Sequence, residues 1–222
     1  MENTRTKTTR NSLILLLTAA IWGMAFVSQS KGMDYMHPFT FNGVRSLIGA
    51  ASILVYILIS RKIAGDKAAP LDWKLNVKAG LLCGIFLTIA STLQQFGIKY
   101  TSVGKAGFIT TLYIIFVPMF GIFLKKKVAP VVWAAAVMAA VGMYLLCMTE
   151  SLRLGAGDIM VFLCAIAFAI QIMTVDHYAA RIDGAVVSCI QFTVCGVVCC
   201  IGALIWGQPT FGQLQEGLGA LL

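Results

Sequence analysis

Seven apolar runs, each about as long as a bilayer is thick, partition this chain, and the charged residues fall almost entirely in the breaks between them. The runs cover approximately 12–31, 38–60, 76–98, 103–124, 130–148, 156–177 and 184–206. A helix needs roughly 20 predominantly apolar residues to cross hydrocarbon, so each run reads as a membrane helix. Composition agrees. Of 222 residues, 59% are hydrophobic and 12% charged, where soluble domains carry about a quarter charged. Too little polar surface remains to cover a water-facing globule.

The formal net charge of +8 does not point to nucleic acid, because the cations are spread among short loops rather than gathered in one patch. Their distribution instead orients the chain. With the N-terminus inside, Arg5, Lys7, Arg10, Arg61, Lys62, Lys67, Lys74, Lys78, Lys125, Lys126, Lys127 and Arg181 fall inside. Lys31, Lys99, Lys105 and Arg153 fall outside, and Arg45 lies within a span. The cytoplasmic bias of Lys and Arg therefore predicts a cytoplasmic N-terminus. The first run is too long for a signal-peptide core and ends in no small-x-small cleavage site, so it reads as a transmembrane helix. The cysteines (Cys83, Cys147, Cys164, Cys189, Cys195, Cys199, Cys200) all lie in apolar runs without a C-x-x-C pair. They read as small hydrophobes, and no metal site is expected.

The tail after Gln208-Pro209-Thr210 turns apolar again over Leu214–Leu222, too short to cross a bilayer. It reads as the start of an eighth helix in a truncated product. An offset of 146 residues lays the first two runs on the sixth and seventh: Trp22 meets Phe168, Asn42 meets Ser188, Arg45 meets Gln191, and His37-Pro38 meets Asp183-Gly184. A repeat unit of five helices is odd-numbered, so its second copy enters the membrane inverted, a construction that recurs in secondary transporters.

Three stretches carry a family resemblance. TAAIWGMAFVSQSKGMDYMHPFTFNGVRSLIGA resembles the first helix pair of the drug/metabolite transporter superfamily, EamA type. QQFGIKYTSVGKAGFITTLYIIFVPMFGIFLKKK is similar to its third and fourth helices, and GDIMVFLCAIAFAIQIMTVDHYAAR to the sixth. The resemblance implies an all-α polytopic protein of inverted five-helix repeats, here with seven spans plus the start of an eighth. Residues 1–11 would form a cytoplasmic tail, 12–150 the first repeat and 151–222 an incomplete second one. It implies movement of a small organic metabolite, such as an amino acid, across the bacterial inner membrane by alternating access, without a bound cofactor. A homodimer is compatible with this reading. One departure is that EamA-type fourth helices commonly end in glutamate, where this chain has Lys125-Lys126-Lys127.

Polar groups at membrane depth are the candidates for solute contact, because they are costly in lipid and normally face the bundle interior. On the second run, Asn42, Arg45, Ser46, Gly49, Ser52 and Tyr56 share one stripe. Leaving a guanidinium in hydrocarbon costs about 2.5–3.5 kcal/mol or more. A solute carboxylate or phosphate would offset it, and so would backbone carbonyls. Thr88, Ser91, Thr92, Gln95 and Lys99 share a face of the third run. The fourth run offers Lys105, Thr110 and Tyr113, with Pro118 expected to free the Ile114 carbonyl and kink the helix. Trp22 and Gln29 on the first run and Gln191 on the seventh complete the proposed cavity. Gly80-x-x-x-Gly84 is assigned to close helix packing. His37 and His177 sit at helix ends, where ordinary interfacial roles suffice. No H-E-x-x-H, G-x-S-x-G or paired mid-span aspartates occur, which argues against an enzyme. A non-transporting membrane module, or an inactive fragment, is the alternative.

Overall fold

A computed structural model describes residues 2–65, 71–123, 129–147 and 155–217. Among them all regular structure is helical: α1 Glu2–Tyr35, α2 Pro38–Ala64, α3 Trp73–Tyr100, α4 Val103–Thr111, α5 Tyr113–Phe123, α6 Pro130–Cys147, α7 Ala156–Tyr178, α8 Gly184–Gly202 and α9 Phe211–Glu216. Short 3₁₀ and π turns extend α7 and α8, at Ala179–Arg181 and Ala203–Gly207. Among the described residues, six helical stretches are long and apolar enough to cross a membrane: Asn11–Tyr35, Pro38–Ala64, Trp73–Tyr100, Val103–Phe123, Ala156–Arg181 and Gly184–Gly207. The remaining expected run forms α6, whose apolar stretch Pro130–Gly142 is shorter. The side chains of Arg5, Lys7 and Arg10, together with Lys67, Lys125, Lys126, Lys127, Arg153 and the end of the tail from 218, lie outside the described residues.

Helix starts follow the local chemistry. Pro38 opens α2, where its missing N–H costs nothing, and His37 Nδ1 accepts the Phe39 N–H at 3.4 Å. Asp72 caps α3 through the Leu75 N–H at 3.0 Å, Ser102 caps α4 through Lys105 N–H at 3.2 Å, and Asp183 caps α8 through Ala185 N–H at 3.0 Å. The fourth span is interrupted at Leu112, between α4 and α5. Pro118, where the kink was expected, lies buried inside α5. The Leu112 N–H reaches Ile109 O at 3.2 Å, so the turn tightens one and a half turns before the proline.

The tight turns at Met36-His37 and Thr101-Ser102 join consecutive helices that touch each other little. The extensive contacts are α3 with α7, α2 with α8, and α3 with α8. Small residues make these approaches. A Cβ on Gly43 would lie 2.8 Å from Cys200 Sγ, and one on Gly196 would lie 3.2 Å from the Leu47 backbone nitrogen. Cys189 Sγ approaches Ala50 O at 3.6 Å. Residues rising along α2 therefore meet residues falling along α8, and the two helices cross antiparallel. Gly80 and Gly84 of α3 sit against Ile190 and Val194, and Gly97 packs on Gly157 and Val161 of α7. With little hydrophobic force between helices in lipid, such close van der Waals packing holds the bundle together.

The bundle is arranged for an apolar solvent. Leu13 through Leu17, Leu54, Leu58, Ile63, Val131 and Leu204 are exposed, while Gln29, Asn42, Asn76, Gln94 and Gln95 are buried. α1 touches the rest mainly through its second half, where Phe26 packs on Ile98, Ala106, Ile109 and Val161. α6 rests only on α4 and α5 among the described elements that share extensive contacts.

Candidate functional site: a polar seam along the third helix

α3 is the helix on which polar side chains converge. Gln95, fully buried, donates from Nε2 to Gln29 O of α1 at 3.1 Å. One turn earlier, Ser91 O accepts Asn42 Nδ2 of α2 at 2.9 Å. Gln94 on the adjoining face donates to Thr110 Oγ1 of α4 at 3.3 Å. The seam continues to α8, where Cys195 Sγ lies 3.4 Å from both Ser46 Oγ and Ser91 Oγ, and Cys199 Sγ lies 3.7 Å from Thr92 Oγ1.

The orientation of two amides is decided by their partners. Gln95 and Asn42 each face a backbone carbonyl, which only an amide N–H can satisfy. Their oxygens are thereby turned the other way. Among the described residues no donor reaches Gln95 Oε1, Asn42 Oδ1 or Gln29 Oε1, and Thr40 Oγ1 is likewise unpartnered. Buried acceptors without donors are costly in a dry interior and ask for a ligand or water that brings N–H or O–H groups.

Arg45 lies one helical turn from Asn42. Its guanidinium carbon stands 5.3 Å from the Phe41 ring centroid, a cation–π contact. Among the described residues no carboxylate pairs with it. The seam therefore offers neutral acceptors beside a cation with no carboxylate partner.

The other sequence candidates lie further apart. Gln191 accepts Gln171 Nε2 of α7 at 3.0 Å, which links α7 and α8. Lys105 Nζ lies 3.7 Å from Asp158 Oδ2, near the end of the bundle that carries His37. Tyr113 begins α5, immediately after the break at Leu112. Trp22 is 52% exposed on α1.

Several participants were missed in the sequence. Gln94 was passed over because it lies off the face counted on α3. Asp158, which the sequence pattern does not single out, is buried in the first turn of α7, accepting the Gly155 N–H at 2.9 Å and the Thr101 hydroxyl. The cysteines were read as packing alone. A separate apolar groove of about 480 Å³, lined by residues including Leu82, Phe120, Met173, His177 and Tyr178, contains none of the predicted site residues. No cluster of three or more metal-ligating side chains occurs among the described residues.

Comparison with known proteins gives this geometry its setting. Residues 10–148 match the model of the EamA-like transporter family. An Archaeoglobus fulgidus protein named an uncharacterized transporter is 31% identical over 171 residues, covering 74% of this chain and 48% of the relative. The chain thus spans about half the length of that relative. Long apolar helices, a buried polar seam and the family match agree: the chain is an integral membrane protein that belongs to the EamA-like transporter family.

Proposed function

We propose that this chain forms the solute-handling part of a secondary carrier that moves a small organic metabolite, an amino acid or related solute, across the cytoplasmic membrane by alternating access. The observation that carries the reading is the pairing of needs within the seam. Among the described residues, Gln29, Asn42 and Gln95 present buried oxygens that no donor reaches, and Arg45 presents a cation that no carboxylate pairs. A zwitterion supplies an ammonium for the first and a carboxylate for the second, and enters without adding net charge. Each demand alone would suit water or backbone groups; together they select a solute bearing both signs. Thr92, Lys105, Thr110, Tyr113, Gln191 and Trp22 are proposed as further cavity residues.

A further feature supports a carrier. The 146-residue offset equates α2 with α8, and these helices cross antiparallel, as an inverted duplication requires. The interruption at Leu112 is a tightened turn within the span Val103–Phe123, the kind of local adjustment that membrane helices accommodate near a proline. The excess of Lys and Arg in alternate loops supports a cytoplasmic N-terminus.

The test is solute flux in proteoliposomes holding the full-length gene product, with a panel of amino acids and organic anions. Saturable flux that falls at least about tenfold in kcat/KM in Arg45→Ala and Gln95→Ala, with normal insertion, is the expected result. Unchanged kinetics in both variants would remove the seam from the transport path. Absence of flux with every solute would move the chain to the non-transporting modules.

A further inference from the structure

The groove of about 480 Å³ between α3, α5 and α7 is used by none of the seam residues. Leu82 of α3, Phe120 and Phe123 of α5, and Ile170 and Met173 of α7 line it, and α7 continues along it through Thr174, His177 and Tyr178. From Ile170 to His177 this wall extends about 10 Å at the rise of an α-helix. The walls offer little to a polar guest, since the Thr174 hydroxyl donates to Ile170 O at 2.8 Å. At the end where α5 and α7 finish, Phe123 is 80% exposed and the groove is open. There His177 and Tyr178 stand edge-on at 4.8 Å, rings of the kind that suit the boundary between hydrocarbon and headgroups.

Cations frame this mouth. Lys78 lies one turn before Leu82 on the same face of α3, and its side chain is exposed. Arg181, also exposed, follows Tyr178 by three residues in the 3₁₀ turn that extends α7. The sequence runs on from Phe123 into Lys125-Lys126-Lys127. Each helix bounding the groove therefore carries, or leads into, basic residues at one and the same end. Against them stand Asp72, Asp176 and Asp183, of which Asp72 and Asp183 cap α3 and α8 and Asp183 also pairs with Arg61 at 3.6 Å.

We propose that this groove binds one anionic phospholipid, an acyl chain lying along Leu82, Phe120 and Met173 and the headgroup phosphate at Lys78 and Arg181. A neutral lipid would fill the slot without answering the cations, and a free phosphate would do the reverse. An acyl chain and an anion on one molecule answer both. In the orientation proposed above, the mouth lies in the cytoplasmic leaflet, where anionic lipid gives the surface its negative potential. The chain would pack between α5 and α7 beyond the last aromatic contact joining them, Phe116 on Phe162 at 5.5 Å, and so tie the second half of the fourth span to the bundle. This site stands apart from the seam, and its occupancy does not depend on the transport reading.

The experiment titrates the purified full-length protein in detergent with phosphatidylglycerol or phosphatidylcholine of matched acyl chains, and counts bound lipid by native mass spectrometry. One phosphatidylglycerol per chain is expected, held more tightly than phosphatidylcholine. Lys78→Gln and Arg181→Gln should each weaken phosphatidylglycerol about fivefold and leave phosphatidylcholine unchanged. Met173→Trp, which fills the groove, should abolish retention of both lipids. If Met173→Trp does not insert, the two exposed charge variants and the headgroup comparison still decide. Equal retention of the two lipids, or phosphatidylglycerol affinity unchanged in both charge variants, overturns the proposal. So does displacement of the lipid by glycerol 3-phosphate at similar concentration, which would mean an anion site without an acyl chain. Displacement by a mixture of neutral L-amino acids would likewise overturn it and assign the groove to the solute path.

Discussion

The two ends of the bundle are built on the same plan and finished differently. At the end carrying His37, Lys105 from the first half of the chain meets Asp158 in the first turn of α7, with Nζ to Oδ2 at 3.7 Å. At the opposite end, Arg61 meets Asp183, the N-cap of α8, at 3.6 Å. The distances are nearly equal, but the surroundings are not. Lys105 and Asp158 side chains are 20% and 4% exposed, whereas Arg61 and Asp183 are 37% and 38% exposed. Coulomb attraction grows as the local dielectric falls, and so does the penalty for leaving one partner alone. The first pair seals its end of the bundle. The second tethers two helices while staying open to water and ions. Separation alone would have scored them alike, and burial decides which one holds the structure.

Asp158→Asn is the largest way to break this contrast. Asparagine can still accept from Thr101, but Lys105 loses its counter-charge in a mostly buried place. A loss of about 1.5–3 kcal/mol is expected, the usual range for a hydrogen bond to a charged group. It should appear as a lower unfolding temperature in detergent and be partly recovered by Lys105→Met, which removes the cation whose charge Asp158 balances. A silent Asp158→Asn would mean that water reaches this pair as freely as it reaches the other.

Arg61→Ala sharpens the comparison from the other side. A half-exposed pair contributes about 0–1 kcal/mol and is screened by salt. Asp183 keeps its capping bonds to α8, and its own N–H still reaches Asn76 Oδ1 at 2.9 Å. The expected change in unfolding temperature is therefore small and vanishes at high ionic strength. A loss as large as that of Asp158→Asn would show that the two ends are equally dry.

This contrast also marks how far the sequence could be read. Polar residues inside apolar runs were legible because lipid makes them expensive; Gln95, Asn42 and Gln29 stood out that way and are buried together at the junction of α1, α2 and α3. Gly80 and Gly84 were legible for the converse reason, since small residues one turn apart allow backbones to approach. Asp158 was not, because a carboxylate at a span end looks solvated until the fold brings Thr101 and Lys105 to it from α3 and α4. Trp22 illustrates another limit: an aromatic residue suits lipid, interface and cavity alike, and period alone does not choose among them. Cysteine hides for a similar reason, as its hydropathy masks a sulfur that hydroxyls on α2 and α3 approach. The interruption falls at Leu112 and not at Pro118, which lies inside α5, a position that the spacing of the sequence does not single out.

The smallest effect expected is a pH dependence at the sealed end. His37 lies in the turn between the first two spans, edge-on to Phe96 at 5.6 Å, with Nδ1 accepting the Phe39 N–H. Burial, and then the charge of Lys99, push its pKa below the ordinary histidine value. The cap requires an unprotonated Nδ1, so geometry and electrostatics favour the same neutral form. A base whose pKa is lower folded than unfolded binds more protons in the unfolded state as pH falls. Its stabilising contribution is present above the unfolded value of about 6.5 and is lost as pH drops through the folded value. His37→Asn keeps a good N-cap without the titration. Unfolding temperatures of wild type and variant, measured from about pH 8 to pH 5, should agree at the upper end and diverge at the lower, with the variant the more stable. Parallel curves would place His37 in open water and show that the seal formed by Lys105 and Asp158 does not extend across the bundle to the start of α2.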